Sequence, residues 1–503
     1  MAKTRNPRVE RINKWTGRVI FGAVLLAALV FQVPWKVTLV VACVFASLIG
    51  LIPASFARSR RTKSFLVGAP LVAWSVWTLL PSNSGDYRPF VFVEEQARLE
   101  QEYGVPDDQN ASAVYLRLLA QSEPNDRHLP VWLEKSSKAV LRRPWKSEDH
   151  PETARWLDAR ASMVETLKEL GEYSQCHFPT EPMIQMLESS EPRTKTVKTW
   201  TYLLAAEANR QAGEGDIAGA LQIYALIAKI ASHYIQQVYG PHYLAGLAVE
   251  KAVFDGISGI AIHGSPTPAQ LAAMDTLIAT PSHEWASAWR RIMRFECLVV
   301  KNGLCGMVYE VNARGKIRFS RSGFADMKET ESPYVRSVKG KRLASLMWVV
   351  LPRSPWKFAR AIDKHYEQYV QIGQPDVDPK SLQRGHHLRF RANHEYLLEK
   401  LVTTMEPSYH KVSDIHTKSV ATRQVCRIIL LLRQYKDETG HWPETLAELA
   451  GRGDPQLWTD PLNGGVFVYR PEGQAFRLYT KGRNSVDEGG AGGDDFSFWP
   501  VRK

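Results

Sequence analysis

The stretch of sequence richest in side chains that could bind a ligand or take part in catalysis lies close to the C-terminus. Residues 481–500 read KGRNSVDEGGAGGDDFSFWP and contain four acidic residues and five glycines. The twelve-residue spacing of an EF-hand is absent from this stretch. By its composition alone, the stretch is typical of a solvated glycine-rich turn whose acids face water.

Other catalytic motifs are incomplete or absent. His394 and Glu395 open the stretch HEYLLEK, but a zinc peptidase needs His-Glu-x-x-His, and the last of these positions is Leu398. The sequence contains no Gly-x-Ser-x-Gly elbow, phosphate-binding loop or dinucleotide fingerprint. Paired carboxylates are plentiful and assemble only in three dimensions, so a hydrolase with an acid-pair site in the helical region stays open as an alternative. We expect no catalytic site and favour a protein that is not an enzyme.

The positive charge of the chain is concentrated at its N-terminus. The net charge of the 503 residues is +12, of which residues 1–63 contribute +10, so that residues 64–503 carry only +2. The large C-terminal part is therefore nearly neutral, and no basic nucleic-acid-binding face is expected.

Three uncharged, mostly apolar segments follow the first arginines, at 19–35, 37–57 and 64–81. Each approaches the length that crosses a lipid bilayer, so we predict three transmembrane helices. Basic residues precede the first segment and fill the ARSRRTK connection before the third. By the positive-inside rule, the N-terminus and this connection are cytoplasmic, and the chain after about residue 82 lies outside. If only two helices insert, the large C-terminal part is cytoplasmic instead.

The cysteines give neither a zinc nor a redox signature. Cys297 and Cys305 are close enough in sequence for a local disulfide in an oxidising compartment. We favour buried free thiols, and leave the disulfide as the alternative.

Helical periodicity dominates from about residue 93 to residue 300. The clearest helical hairpin is LLAAEANRQAGEGDIAGALQIYALIAKIASHY, in which a Gly-Glu-Gly-Asp turn separates two helices. Ala220, Tyr224 and Ala228 share one face of the second helix, and their stripe is expected to be core. A short β-hairpin is predicted around Asn312 to Gly315.

The sequence changes character from Gln424 onward. A long amphipathic helix is followed by Gly440, which suits a left-handed C-terminal cap, and by Pro443. Aromatic and apolar residues then alternate between Gly and Pro turns. This pattern predicts a small antiparallel sheet packed against the long helix.

An ordered series of residues in this region carries a family resemblance. The series consists of the helix end near Tyr435, Gly440-x-x-Pro443, Asp460-Pro461, Tyr469, Phe476-x-Leu478-Tyr479, Gly482, Gly489-Gly490, Asp495 and Trp499. In this order, residues 424–499 resemble the globular domain of the major pseudopilin of type II secretion systems. Pseudopilins begin with a prepilin cleavage site and a hydrophobic helix that packs in the filament. Here the module follows a long body, so we expect a module reused for another purpose and not a filament subunit.

The resemblance implies a calcium site in the acidic loop, because the family binds calcium there. Carboxylate, amide and carbonyl oxygens suit this ion. The expected metal-binding residues are Asn484, Asp487, Asp494 and Asp495. Asn484 stands where the family usually has an acid, and Asp487 has no clear counterpart in the family. The loss of one carboxylate should weaken binding.

The sequence thus predicts a bacterial inner-membrane protein in three parts. Residues 1–84 form a membrane anchor with three transmembrane helices, residues 85–405 a mainly α-helical extracytoplasmic region, and residues 406–503 a pseudopilin-like α+β domain. Its expected role is a membrane-anchored interaction or scaffold protein, associated with secretion or the cell envelope, with an unknown protein partner and a calcium-binding C-terminal loop.

Overall fold

The structure is a computed structural model, and it describes most of the chain after residue 86. The described ranges are 87–121, 139–179, 183–279, 283–320, 354–372, 409–449, 451–490 and 492–500. The three predicted transmembrane segments and the HEYLLEK stretch lie outside these ranges. Within them, no helix is both long enough and apolar enough to cross a membrane.

The described residues are mainly helical and include two small antiparallel sheets, as the sequence predicts. In chain order the elements are β1 (Tyr87–Pro89), α1 (Val93–Tyr103), α2 (Ser112–Gln121), α3 (Pro151–Asp158), α4 (Ala161–Leu167), α5 (Met183–Gly213), α6 (Ile217–Ile235), α7 (Gly240–His263), α8 (Pro268–Ala279), α9 (Trp285–Val308), β2 (Tyr309–Asn312), β3 (Ile317–Phe319), α10 (Pro355–Ile372), α11 (Tyr409–Thr439), β4 (Val468–Glu472), β5 (Ala475–Thr480) and β6 (Phe496–Trp499).

The chain divides into two compact units. In the smaller unit the described elements are β1, β2 and β3, which pair antiparallel in that order. The predicted β2–β3 hairpin is confirmed. Its turn is held by Asn312, whose Oδ1 accepts hydrogen bonds from the backbone N–H groups of Arg314 (3.0 Å) and Lys316 (2.9 Å).

The larger unit joins the helices from α1 to α9 with α10, α11 and the C-terminal sheet. Its centre is a pair of successive helical hairpins made by α5, α6 and α7. The first hairpin is the one that the sequence predicts, and Asp216 caps α6 by accepting a hydrogen bond from the backbone N–H of Gly219 (2.8 Å). Ala220 and Tyr224 are fully buried at the interface of the hairpins, which confirms their expected role in the core.

α7 approaches α6 closely at Gly256. The hydroxyl of Tyr224 donates to Asn209 Oδ1 (2.9 Å), and Asn209 Nδ2 donates to the carbonyl of Val140 (3.0 Å). A Cβ atom at position 256 would lie 1.9 Å from the Tyr224 hydroxyl oxygen, well inside van der Waals contact. The glycine is therefore required by the buried hydrogen-bonded tyrosine opposite it.

α11 packs against the helical array through buried polar contacts as well as apolar ones. Arg423 Nη2 lies 2.7 Å from Glu250 Oε1 on α7, and Ser419 Oγ donates to the other carboxylate oxygen (3.1 Å). One turn further, the Arg427 guanidinium forms a two-point contact with Asp275 of α8 (2.7 and 3.2 Å). These contacts fix the middle of α11 against α7 and α8.

The C-terminal sheet has the order β4-β5-β6 and shares one apolar core with α11 and the array. Phe476 and Trp499 stack across the sheet, and Trp442 meets Phe476 edge to face. α11 ends at the predicted left-handed glycine, since Gly440 has φ +85°. The predicted small sheet against a long helix is confirmed.

Replacement of Gly256 by alanine should destabilise the array, because the new methyl group has to displace the Tyr224 hydroxyl from Asn209. Overpacking of this kind costs about 1–3 kcal/mol, so we expect the melting temperature of the full-length protein to fall by several degrees. Gly171→Ala is the matched control, because a Cβ there meets Leu226 at an ordinary 3.5 Å. Equal melting temperatures for the two variants would contradict the close approach of α7 and α6.

Candidate functional sites

The acidic loop connects β5 to β6 and runs from Lys481 to Asp495. Its backbone turns repeatedly through left-handed conformations, with positive φ at Gly482, Gly489, Gly490 and Gly493. The base of the loop is tied to the turn after Asp460, because Asn463 Nδ2 donates to both Asp460 Oδ2 (2.8 Å) and the carbonyl of Gly482 (2.9 Å).

Reciprocal hydrogen bonds between carboxylates and backbone N–H groups close the loop. Glu488 Oε2 accepts from the N–H groups of Asp494 (2.6 Å) and Asp495 (3.2 Å). In return, Asp495 Oδ2 accepts from the N–H groups of Glu488 (2.9 Å) and Gly490 (2.7 Å). Glu488 and Asp495 therefore link the two halves of the loop by hydrogen bonds. Glu488 is not among the predicted metal-binding residues.

Three of the four predicted metal ligands lie at or beside this hydrogen-bonded link. Asp494 Oδ2 accepts from the N–H groups of Arg483 (2.5 Å) and Asn484 (3.0 Å). Asn484 Oδ1 accepts from the N–H of Val486 (2.8 Å), and its amide nitrogen is 3.4 Å from Glu488 Oε1. Asn484, Asp494 and Asp495 are thus brought together with Glu488.

The fourth predicted ligand, Asp487, is directed to different partners. Its Oδ1 accepts from the Tyr479 hydroxyl (2.8 Å) and from the N–H of Gly489 (2.9 Å), while Oδ2 pairs with Arg470 Nη2 (2.7 Å). The hydrogen bond from Tyr479 is the main reason why the pKa of Asp487 is lowered. In turn, burial and this bond raise the pKa of Tyr479 to about 12.

The fit of this loop to a cation is mixed. Among the described residues, no group of three or more His, Cys, Asp or Glu side chains converges as a metal site would. However, Asp495 Oδ1 is buried and has no hydrogen-bond partner among the residues that the structure describes. A buried carboxylate oxygen without a partner is costly, and a hard cation would satisfy it together with amide and carbonyl oxygens of the loop.

A second candidate site is a cleft of about 590 Å³ within the helical array. It lies among α3, α4, α5, α6 and the 3₁₀ turn Lys168–Glu172. Its lining combines apolar side chains with charged and polar ones. The cleft is not apparent from the sequence, because its lining residues are spread over residues 157–229.

Of the three carboxylates that line the cleft, Glu165 and Glu207 are each paired with a cation, and Asp216 caps α6. Glu165 Oε1 accepts from Lys168 Nζ (2.6 Å). Glu207 pairs with Arg210 (2.8 Å) and accepts from Gln211 Nε2 (2.8 Å). In an acid-pair hydrolase the two carboxylates face one scissile bond. Here Glu165 and Glu207 are held by Lys168 and Arg210 and do not face each other across a common point.

Histidines with shifted pKa values belong to the packed interior of the array. The Tyr243 hydroxyl lies 2.9 Å from His283 Nε2 and 2.8 Å from His416 Nδ1, and His416 stacks on Trp285. Burial lowers the pKa of His283 to about 4 and that of His416 to about 3. These groups connect α7, α9 and α11 and are half-buried or buried within their packing.

The four cysteines in the described ranges are buried free thiols, as the sequence analysis favours. They are Cys176, Cys297, Cys305 and Cys426. Burial raises the pKa of each thiol, to about 12 for Cys305 and Cys426. Such thiols are poor nucleophiles at neutral pH and serve as small apolar side chains.

Comparison with known proteins identifies no relative. No family model, no curated protein and no solved structure matches the chain.

Acidification should destabilise the array between about pH 6.5 and pH 4. Burial lowers the pKa of His233 to about 4, so this imidazole stays neutral in the folded state while the unfolded chain takes up a proton below about pH 6.5. Stability is therefore lost as the pH falls towards the folded-state pKa. Burial raises the pKa of Glu296 to about 7, and this group acts in the opposite direction.

The change that tests this is His233→Gln, which should make the loss of unfolding free energy between pH 6.5 and pH 4.5 shallower, by up to about 1 kcal/mol per pH unit, and the fall in melting temperature correspondingly smaller. Thermal unfolding of the full-length protein at a series of pH values measures it. His441→Gln is the control, since His441 is exposed. An identical pH profile for His233→Gln and the unsubstituted protein would show that His233 is not buried as a neutral side chain.

Proposed function

We propose that the chain is a membrane-anchored extracytoplasmic interaction or scaffold protein of the bacterial cell envelope. Three N-terminal helices would hold it in the inner membrane with a cytoplasmic N-terminus, and the helical array and the C-terminal α+β region would face the other side. Its partner would be a protein and not a nucleic acid, since residues 64–503 carry a net charge of only +2.

The observation that carries this proposal is the burial of α11. In a pseudopilin-like module, the long helix would have to be accessible for packing in a filament. Here the Glu250–Arg423 ion pair is almost fully buried, and Val425 and Ile429 of α11 lie in the core that the array shares with the sheet. This supports a module that is fixed to the array as part of a larger binding protein.

The acidic loop is proposed to bind calcium. Asp495, Asp494 and Asn484 would contribute, because Asp495 Oδ1 is buried without a partner among the described residues and a cation would satisfy it. Asp487 would join them only by leaving Tyr479 and Arg470. When bound, the ion would supply electrostatic cross-links between the two halves of a loop that Glu488 and Asp495 already close. The proposed effect is a more rigid surface and not a catalytic step.

The cleft favours binding over hydrolysis as the role of the array. Two of its three acids, Glu165 and Glu207, are paired with Lys168 and Arg210, and its lining combines apolar with polar side chains. A concave cleft of this size is typical of a binding site.

Calcium should stabilise the full-length protein in detergent. With an affinity in the range of extracellular modules, about 10⁻⁴ to 10⁻³ M, millimolar calcium would contribute about 1 kcal/mol, or a rise of about 2–4 °C in melting temperature relative to excess chelator. Asp495→Asn should abolish the rise, because it removes the charge that the ion would meet.

Two controls make this measurement specific. Glu472→Gln removes an exposed acid of the same sheet, which pairs with Arg477 outside the loop, and should keep the response. Magnesium at equal concentration controls for ionic strength. The absence of any calcium-specific rise, or its persistence in Asp495→Asn, would rule out calcium binding at this loop.

The membrane orientation can be tested by labelling a single exposed position. Gln474 is exposed in the turn between β4 and β5, so Gln474→Cys should react with a membrane-impermeant maleimide in intact bacterial spheroplasts. Thr62→Cys, in the predicted cytoplasmic connection, should react only after lysis. The reverse pattern at Gln474 would place the C-terminal region in the cytoplasm and would support two inserted helices.

A further inference from the structure

Buried apolar side chains form part of the lining of the cleft between α4 and α6, and they are called its floor here. Val164 of α4, Leu204 of α5, and Ile223 and Leu226 of α6 line it, and all four are buried against neighbouring helices while they border the open space. Such a floor suits the side chains of an extended ligand.

The cleft is elongated along α6. Asp216, Gly219, Ile223, Leu226 and Lys229 all line it, at the three- and four-residue spacing of one helix face. At a rise of 1.5 Å per residue, the distance from Asp216 to Lys229 is about 20 Å. An extended peptide of about five to six residues spans that distance.

The two ends of the cleft carry opposite charge. At the first end, the Arg210 guanidinium is shared by Asp158 (2.6 Å) and Glu207 (2.8 Å), and Asp216 adds a third carboxylate. At the other end stand Lys168, which is paired with Glu165, and Lys229. The first end therefore has an excess of negative charge and the second an excess of positive charge.

Within the described part of the chain, the half-buried Lys229 and the exposed Gln222 of the cleft have no protein partner. Lys229 is half-buried, and within the described part of the chain its ammonium group makes no ion pair or hydrogen bond. Gln222, between the two ends, likewise makes none in these ranges. An ammonium group pairs well with a carboxylate, and a free side-chain amide can form hydrogen bonds with the N–H and C=O groups of a peptide backbone.

We infer that the cleft binds an extended peptide of about five to six residues, with its acidic or C-terminal end at Lys229 and its basic or N-terminal end at Asp216 and Glu207. This assignment rests on the proposed role as an interaction protein and names the class of its partner. An aliphatic carboxylate would pair with Lys229, but it would leave Gln222 and the acidic end without partners.

The test is affinity selection with mass-spectrometric detection. The full-length protein in detergent is incubated with a mixture of hexapeptides that begin with Lys, end with Glu and have Ala, Leu or Val between, and retained peptides are identified. We expect retention, and we expect Lys229→Gln to weaken it roughly tenfold, as the loss of a charge-assisted hydrogen bond would. Lys195→Gln, an exposed lysine of α5 outside the cleft, should leave retention unchanged.

A second variant distinguishes a peptide from a hydrocarbon chain. Gln222→Leu should weaken retention of the peptides, because the partner of the peptide backbone is lost, whereas it would strengthen binding of decanoate. No retained peptide, retention that is equal in Lys229→Gln, or decanoate binding that depends on Lys229 and is strengthened by Gln222→Leu would overturn the assignment. The selection is run with calcium and with chelator, so that failure of the loop to bind calcium cannot be mistaken for failure of the cleft.

Discussion

The ion pair between Glu250 of α7 and Arg423 of α11 joins the helical array to the C-terminal α+β region. Both side chains are about nine-tenths buried, and Ser419 satisfies the second carboxylate oxygen. Two charges withdrawn from water are stable only together, and removal of one partner from such a pair typically costs about 3–5 kcal/mol. The pair therefore sets the register of α11 on α7, and the sheet that packs on α11 takes its place from that register.

α11 contacts the helical array on one side and the residues before the C-terminal sheet on another. On the array it meets α7 and α8 through Arg423 and Arg427, and towards the sheet Gln424 Nε2 donates to the carbonyls of Gln456 and Thr459 (2.9 and 3.2 Å). A helix committed to two partners in this way cannot exchange one of them for a neighbouring subunit without exposing apolar core. In this structure α11 is therefore occupied on two sides by residues of its own chain.

Local patterns in the sequence predict the elements well and their partners poorly. The Gly-Glu-Gly-Asp turn, the left-handed Gly440 and the alternation around Phe476 depend on neighbouring residues, and all appear in the structure as expected. Arg423 and Arg427 read as the polar face of an amphipathic helix, yet they pair with acids more than 150 positions earlier in the chain. Periodicity carries no information on such pairs, because charge partners so distant in sequence are chosen only by the packing of whole helices.

The same limit separates the two candidate sites. The acidic loop can be recognised in the sequence because its polar groups lie close together along the chain. The sequence does not show which partners these groups contact: Glu488 and Asp495 accept from backbone N–H groups, and Asp487 accepts from Tyr479. A loop already closed by its own carboxylates gains little order from a cation, so weak calcium binding is the physical expectation. The cleft has the opposite character, since its groups are scattered in sequence but held on packed helices. Because these helices are already packed, binding of the proposed peptide would have to order only side chains such as those of Lys229 and Gln222, and not the backbone that carries them.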